Sequence, residues 1–143
     1  MKPLMVAAET RVVPGETVRV HSIGRVEARL DLGLGTLVMR HLLVEGVNRI
    51  EIPPDLRSAA MHVLVTLVGG KRILAHVDIT NTDGHIPARL FLDDPTVTPH
   101  DEYLEVPYGM QSKRLDVCSF LLWMRPRKFD VAVVRAILNG KPV

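Results

Sequence analysis

The sequence predicts an all-β protein: a jelly-roll-like antiparallel β-sandwich that carries an extended C-terminal arm. Three observations predict it. Strand-like runs recur at short, even intervals from Thr10 to Leu92, the spacing of a sandwich or barrel rather than of alternating strand–helix units. Turn-forming residues separate those runs. After Leu92 the composition changes: both tyrosines, the single tryptophan and two of the three phenylalanines fall in the last third of the chain.

The elements follow in order. "TRVV" leads into a Pro14-Gly15 turn, and "TVRVHS" follows it. "RVEARLDL" alternates most cleanly, which turns Val26, Ala28, Leu30 and Leu32 inward and Arg25, Glu27, Arg29 and Asp31 outward. "GLG" at Gly33 to Gly35 breaks that run. "TLVMRHLLV" then reaches a Glu45-Gly46 turn, and "VNRIEI" stops at Pro53-Pro54. "PPDLRSAA" allows one helical turn.

The stretch "AAMHVLVTLVGGKRILAHVDIT", Ala59 to Thr80, reads as a hairpin around Gly69-Gly70. A three-residue loop pairs Val63 with Val77, Val65 with Ala75 and Leu67 with Ile73, which makes one face wholly apolar. The other face sets His62 against Asp78 and His76 against Leu64. That face is half apolar, so it is expected to be a covered wall with a cross-strand polar pair rather than a site. "NTDG" is a turn, and "HIPARLFL" is the last strand of the core. Pro87 within it predicts an edge position.

The expected organisation is a sandwich core over residues 1–92, an acidic, proline-containing loop over 93–102, and an arm over 103–143 that packs on the core or on a neighbouring subunit. Within the arm, "FDVAVVRAIL" fits a strand by composition and a helix by spacing.

Composition sets limits. A chain of 143 residues with 47% hydrophobic content is long enough for one real core. A net charge of +2, without a basic stripe, argues against nucleic acid as a partner. Cys118 is alone, so no internal disulfide forms. Few Gln, Asn and Cys, together with ten prolines, suit a hot habitat. The opening "MKPLMVAA" lacks a signal-peptide pattern, and no apolar run approaches the ~20 residues of a membrane span. A soluble chain that is not exported by such a signal is therefore expected.

No catalytic, cofactor or metal site is expected. "GGKR" is not a phosphate-binding loop, Cys118 sits in an apolar run, and the six histidines are scattered. Asp93, Asp94, His100, Asp101 and Glu102 offer oxygen ligands to a hard cation but match no ligand pattern, and they read as a solvated loop. Tyr103, Tyr108, Phe120, Trp123, Arg125, Arg127 and Phe129 are of the types that anchor protein interfaces. Beyond a sandwich that is already closed, they are expected to bury against an outer face or a second copy. The "TLVMRHLLV" run and the two hairpin strands are next in line, because both of their faces are too apolar for water.

The core from "TRVVPGETVRV" to "RLFL", followed by "YLEVPYGMQSKRLDVCSFLLWMRPRKFDVAVVRAILNGKPV", resembles the capsid decoration (cementing) proteins of thermophilic tailed bacteriophages. The likeness lies in size, composition and organisation. It implies a homotrimer of jelly-roll cores with interlocking arms. It further implies a non-enzymatic role on the outside of a virion, where the protein cements neighbouring copies of the viral major capsid protein, and a cytoplasmic location otherwise. Two other readings compete. A β-sandwich binding module for carbohydrate or peptide would need stacking aromatics, and the core has just Phe91. A small metal-dependent enzyme would need the acidic loop or the His62–His76–Asp78 face.

Overall fold

The computed structural model describes residues 9–97 and 100–140. Strand β1 (Thr10–Ser22) is long and serves two neighbours: its first half pairs with β4 (Arg72–Asp78), and its second with β2 (Arg25–Asp31). The two ladders overlap at Gly15, where a Cβ would lie 2.7 Å from the Arg29 carbonyl oxygen. Only glycine permits that approach. β2 then pairs with β3 (Leu37–Val44), β4 with β5 (Ile86–Leu92), and β3 runs parallel to β5 over Leu42–Val44 and Ile86–Ala88. The order β3-β2-β1-β4-β5 thereby closes on itself as a barrel.

The all-β expectation holds in its broad form, but the strands close one sheet instead of stacking two. Val26, Ala28 and Leu30 face the barrel interior as their alternation predicts. Pro87 is not at an edge, since β5 has β4 on one side and β3 on the other. Its missing N–H costs the ladder nothing, because the last β4–β5 pair is Val77 with Ala88, one residue further in.

The hairpin expectation is overturned. Residues 57–68 form helix α1 (Arg57–Val68), entered through a 3₁₀ turn at Pro54–Leu56. Ala60, Val63, Leu64, Leu67 and Val68, the one-face pattern of a helix, are all fully buried. Burial on that stripe outweighs the strand preference of the valines. Gly69 and Gly70 terminate the helix rather than a hairpin: Gly69 N–H donates to the Val65 carbonyl at 2.9 Å, and Gly70 has φ 66°. His62 and Asp78 therefore do not pair across strands. "VNRIEI" is likewise not a strand; Val47–Arg49 is a 3₁₀ turn.

The last third folds onto the chain's own barrel. Short strands β6 (Leu104–Glu105) and β7 (Arg114–Asp116) extend the sheet from β5 through the pairs Phe91–Asp116 and Leu92–Leu115. Helix α2 (Val117–Met124) packs against β5, and α3 (Val131–Leu138) against α1. The segment left open between strand and helix is thus a helix, capped by Asp130, whose carboxylate accepts from Ala132 N–H at 3.0 Å. Tyr103, Phe120, Trp123, Phe129, Val134 and Ile137 join the barrel residues in one continuous core. Among the described residues, three helices form a layer that hides much of the apolar surplus within the chain itself. Among the described residues, no helix is long and apolar enough to cross a membrane.

Candidate functional site

The β2–β3 hairpin carries the most unusual surface of the molecule. Its loop is built by local hydrogen bonds: Gly33 N–H donates to Asp31 Oδ1 at 2.8 Å, Thr36 N–H to the Gly33 carbonyl at 2.9 Å, and Leu32 N–H to the Thr36 carbonyl at 2.9 Å. Gly33, Leu34 and Gly35 all take left-handed backbone, with φ of 92°, 53° and 79°. Glycine adopts this freely, whereas a leucine is strained by about 1–2 kcal/mol. Leu34 nevertheless stands at the apex, fully exposed. A side chain that neither packs nor eases its own turn contributes nothing to the fold.

Apolar surface continues down β3. Leu37 is 57% exposed and Met39 46%. β3 pairs with β5 only from Leu42 onward, so, among the described residues, 37–41 have no strand partner on the side away from β2. An unpaired apolar edge is a template for association. Across the molecule, Pro53, Leu56, Leu122 and Pro126 line a shallow hollow of about 550 Å³, rimmed by Arg125 and Lys128. Leu122 is the exposed residue of an otherwise buried α2.

Further along β3, three of the six histidines cluster: His21 and His41 flank Glu27, and His85 lies beside His41. His21 Nε2 lies 3.7 Å from Glu27 Oε2, and His41 Nε2 lies 3.7 Å from Glu27 Oε1. The His21 and His41 ring centroids are 5.5 Å apart, and those of His41 and His85 are 5.7 Å apart. The "scattered" reading of the histidines fails here because each sits on a different strand or loop, and strand pairing alone brings them together.

A groove of about 800 Å³ lies between the β3 end and α2, lined by Arg25, Glu45, Arg89, Asp116 and Cys118 among others. Arg89 Nε donates to Asp116 Oδ2 at 2.6 Å and its guanidinium also contacts Glu105. Burial raises the Cys118 thiol pKa, Asp116 raises it further, and Arg89 acts in the opposite sense. The thiol is held protonated, so it is a poor nucleophile.

The residues expected at an interface divide. Tyr103, Phe120, Trp123 and Phe129 are buried in the chain's own core, with Tyr103–Phe120 and Tyr103–Trp123 centroids 5.1 Å apart in edge-to-face contact. Arg127 is spent on Trp123, its Cζ 3.6 Å from the ring centroid. Tyr108, stacked at 6.0 Å on His76, remains exposed, as does Arg125, which reaches Glu51 at 3.8 Å. The acidic loop does not converge. Asp93 pairs with Arg114 at 3.3 Å, Asp94 accepts from Thr96, Asp101 pairs with Lys113 at 3.0 Å, and His100 stacks on Tyr103 at 5.5 Å. Two residues of this loop, 98 and 99, lie outside the described residues, as do 1–8 of the core and 141–143 of the arm. No family model matches the chain, and no curated protein matches it.

Proposed function

We propose that this chain is a non-enzymatic structural protein that assembles with copies of itself and docks on a larger protein shell, as the resemblance to capsid decoration proteins implies. The contact differs from the one expected from sequence. The buried aromatics hold the protomer together, and the exposed Leu34 apex makes the contact. The reading rests on that one observation, because a strained and fully solvated leucine has a use only when a partner covers it.

The partner that suits it is a second copy. Leu34 of one protomer seats in the hollow formed by Leu56, Leu122 and Pro126 of the next, with Asp31 at the base of the hairpin facing the Arg125 and Lys128 rim. Knob and hollow lie on different surfaces, so the contact is heterologous; where its rotation closes it makes a ring, of which a trimer is the smallest. Repeating the contact around a ring places several weak docking surfaces on the shell at once, which slows release.

Five-stranded barrels include the OB-folds, which bind oligonucleotides and oligosaccharides across strands 2 and 3. On this chain that face has no Phe, Tyr or Trp, so it offers no broad stacking platform. Architecture alone does not assign a function.

The test is light scattering coupled to size exclusion on wild type, Leu34→Asn and Leu122→Asp. The wild type should elute as an oligomer, and each variant should shift towards monomer with a protomer that unfolds no earlier than wild type, Leu34→Asn somewhat later because asparagine accepts left-handed backbone. Mixing the two variants leaves one intact knob and one intact hollow per pair, so heterodimers should form. A wild-type monomer at all concentrations, or variants that assemble like wild type, would overturn the reading.

A further inference from the structure

We infer that His21, Glu27 and His41 form a binding site for a borderline divalent transition metal of the zinc class, on the outer face of the barrel. The donor set is two imidazoles and one carboxylate, drawn from three successive strands. In the β2–β3 register Glu27 stands directly opposite His41, and His21 reaches Glu27 from the irregular end of β1. The three donor atoms lie within 4.8 Å of one another.

The spacing separates this arrangement from an ordinary polar pair. At 3.7 Å, both imidazole nitrogens are too far from the carboxylate for a good hydrogen bond. Among the described residues, no lysine or arginine pairs with Glu27, and these two imidazoles are its neighbours. Ligands about 2.0–2.2 Å from a tetrahedral zinc ion stand roughly 3.3 Å apart. A few tenths of an ångström of side-chain movement therefore brings each His–Glu distance to a coordinating one. Both rings already direct Nε2 towards the carboxylate, and Glu27 is the least exposed of the three side chains. Nitrogen donors with one oxygen favour zinc, copper or nickel over calcium or magnesium.

The fourth position also has a candidate. The parallel β3–β5 register, Leu42 with Ile86, brings His85 beside His41. An ion held there would tie β1, β2 and β3 together on the outside of the barrel, which adds to stability by binding the folded state alone.

The experiment is zinc titration of chelator-treated full-length protein by calorimetry, with metal content checked by elemental analysis. One equivalent should bind, with a rise in melting temperature. Glu27→Gln and His41→Ala should each weaken affinity by more than about a hundredfold, beyond the roughly 10–100-fold that loss of an outer-shell partner costs, while circular dichroism reports an unchanged fold. His62→Ala, on the exposed face of α1, should bind like wild type. Absence of uptake, wild-type affinity in both cluster variants, or an equal loss in His62→Ala would overturn the site. Cobalt substitution gives a second readout: a thiolate charge-transfer band would place the metal at Cys118 instead, and its absence with a nitrogen–oxygen spectrum is expected.

Discussion

Arg89 Nε lies 2.6 Å from Asp116 Oδ2, and the other oxygen of that carboxylate accepts from Ser119 N–H at 3.1 Å. One buried side chain thus ties β5 to the start of α2 and caps the helix. Asp116→Ala removes both roles and should cost about 2–3 kcal/mol, the low end for a broken buried pair because Arg89 is partly solvated. Asp116→Asn keeps the cap and should lose less. Urea unfolding followed by Trp123 fluorescence measures both.

Phe120 and Trp123 are core residues of the protomer rather than contacts with a neighbour. Phe120→Ala should destabilise by about 3–5 kcal/mol, and the protein that remains folded should keep its wild-type oligomeric mass. Arg127→Ala, which removes the cation over the Trp123 ring, should cost about 1 kcal/mol. Mass loss on either substitution without loss of protomer stability would restore these residues to an interface.

Gly46 has φ 85°, and a Cβ there would lie 2.8 Å from Cys118 Sγ. Gly46→Ala should therefore cost more than the roughly 1 kcal/mol of backbone strain alone. Adding Cys118→Ala should recover the steric part and leave the backbone part. Equal melting temperatures for the single and double variants would show that the contact is relieved some other way.

Cys118 should react slowly with iodoacetamide at neutral pH. Its pKa is raised, first by burial and then by Asp116, so the thiolate fraction stays below that of a free thiol until the pH passes the ordinary thiol range. The sign for stability follows: the native state holds this proton more tightly, so stability falls as pH rises from the unfolded to the folded thiol pKa. Asp116→Asn should speed alkylation, and full exposure in urea should speed it more. Fast alkylation of the native wild type at pH ~7 would contradict the raised value.

Much of the barrel was legible in the sequence. Val26, Ala28 and Leu30 alternate with charged residues because a strand surface has a period of two, and that local pattern survived into the structure. The Gly33–Gly35 turn and the Arg72–Asp78 strand were also readable. Helix α1 was not. In a run as apolar as "AAMHVLVTLV", the positions that make a helical stripe and those that make a strand face are occupied alike, and only the barrel end that receives Ala60, Val63, Leu64 and Leu67 decides between them.

The sequence by itself determined where several of the barrel strands run, which face of β2 turns inward, and that a large apolar surplus had to be hidden. The tertiary structure decided what hides it. β5 turns one half of its edge to β3 and the other to β7, so the barrel closes and the last third returns to its own core. Such pairings join residues far apart in the chain and depend on closure of the whole sheet, which no local pattern specifies. Antiparallel pairing of the consecutive strands β1, β2 and β3 gathers His21, Glu27 and His41, and the turn between β2 and β3 leaves Leu34 in solvent.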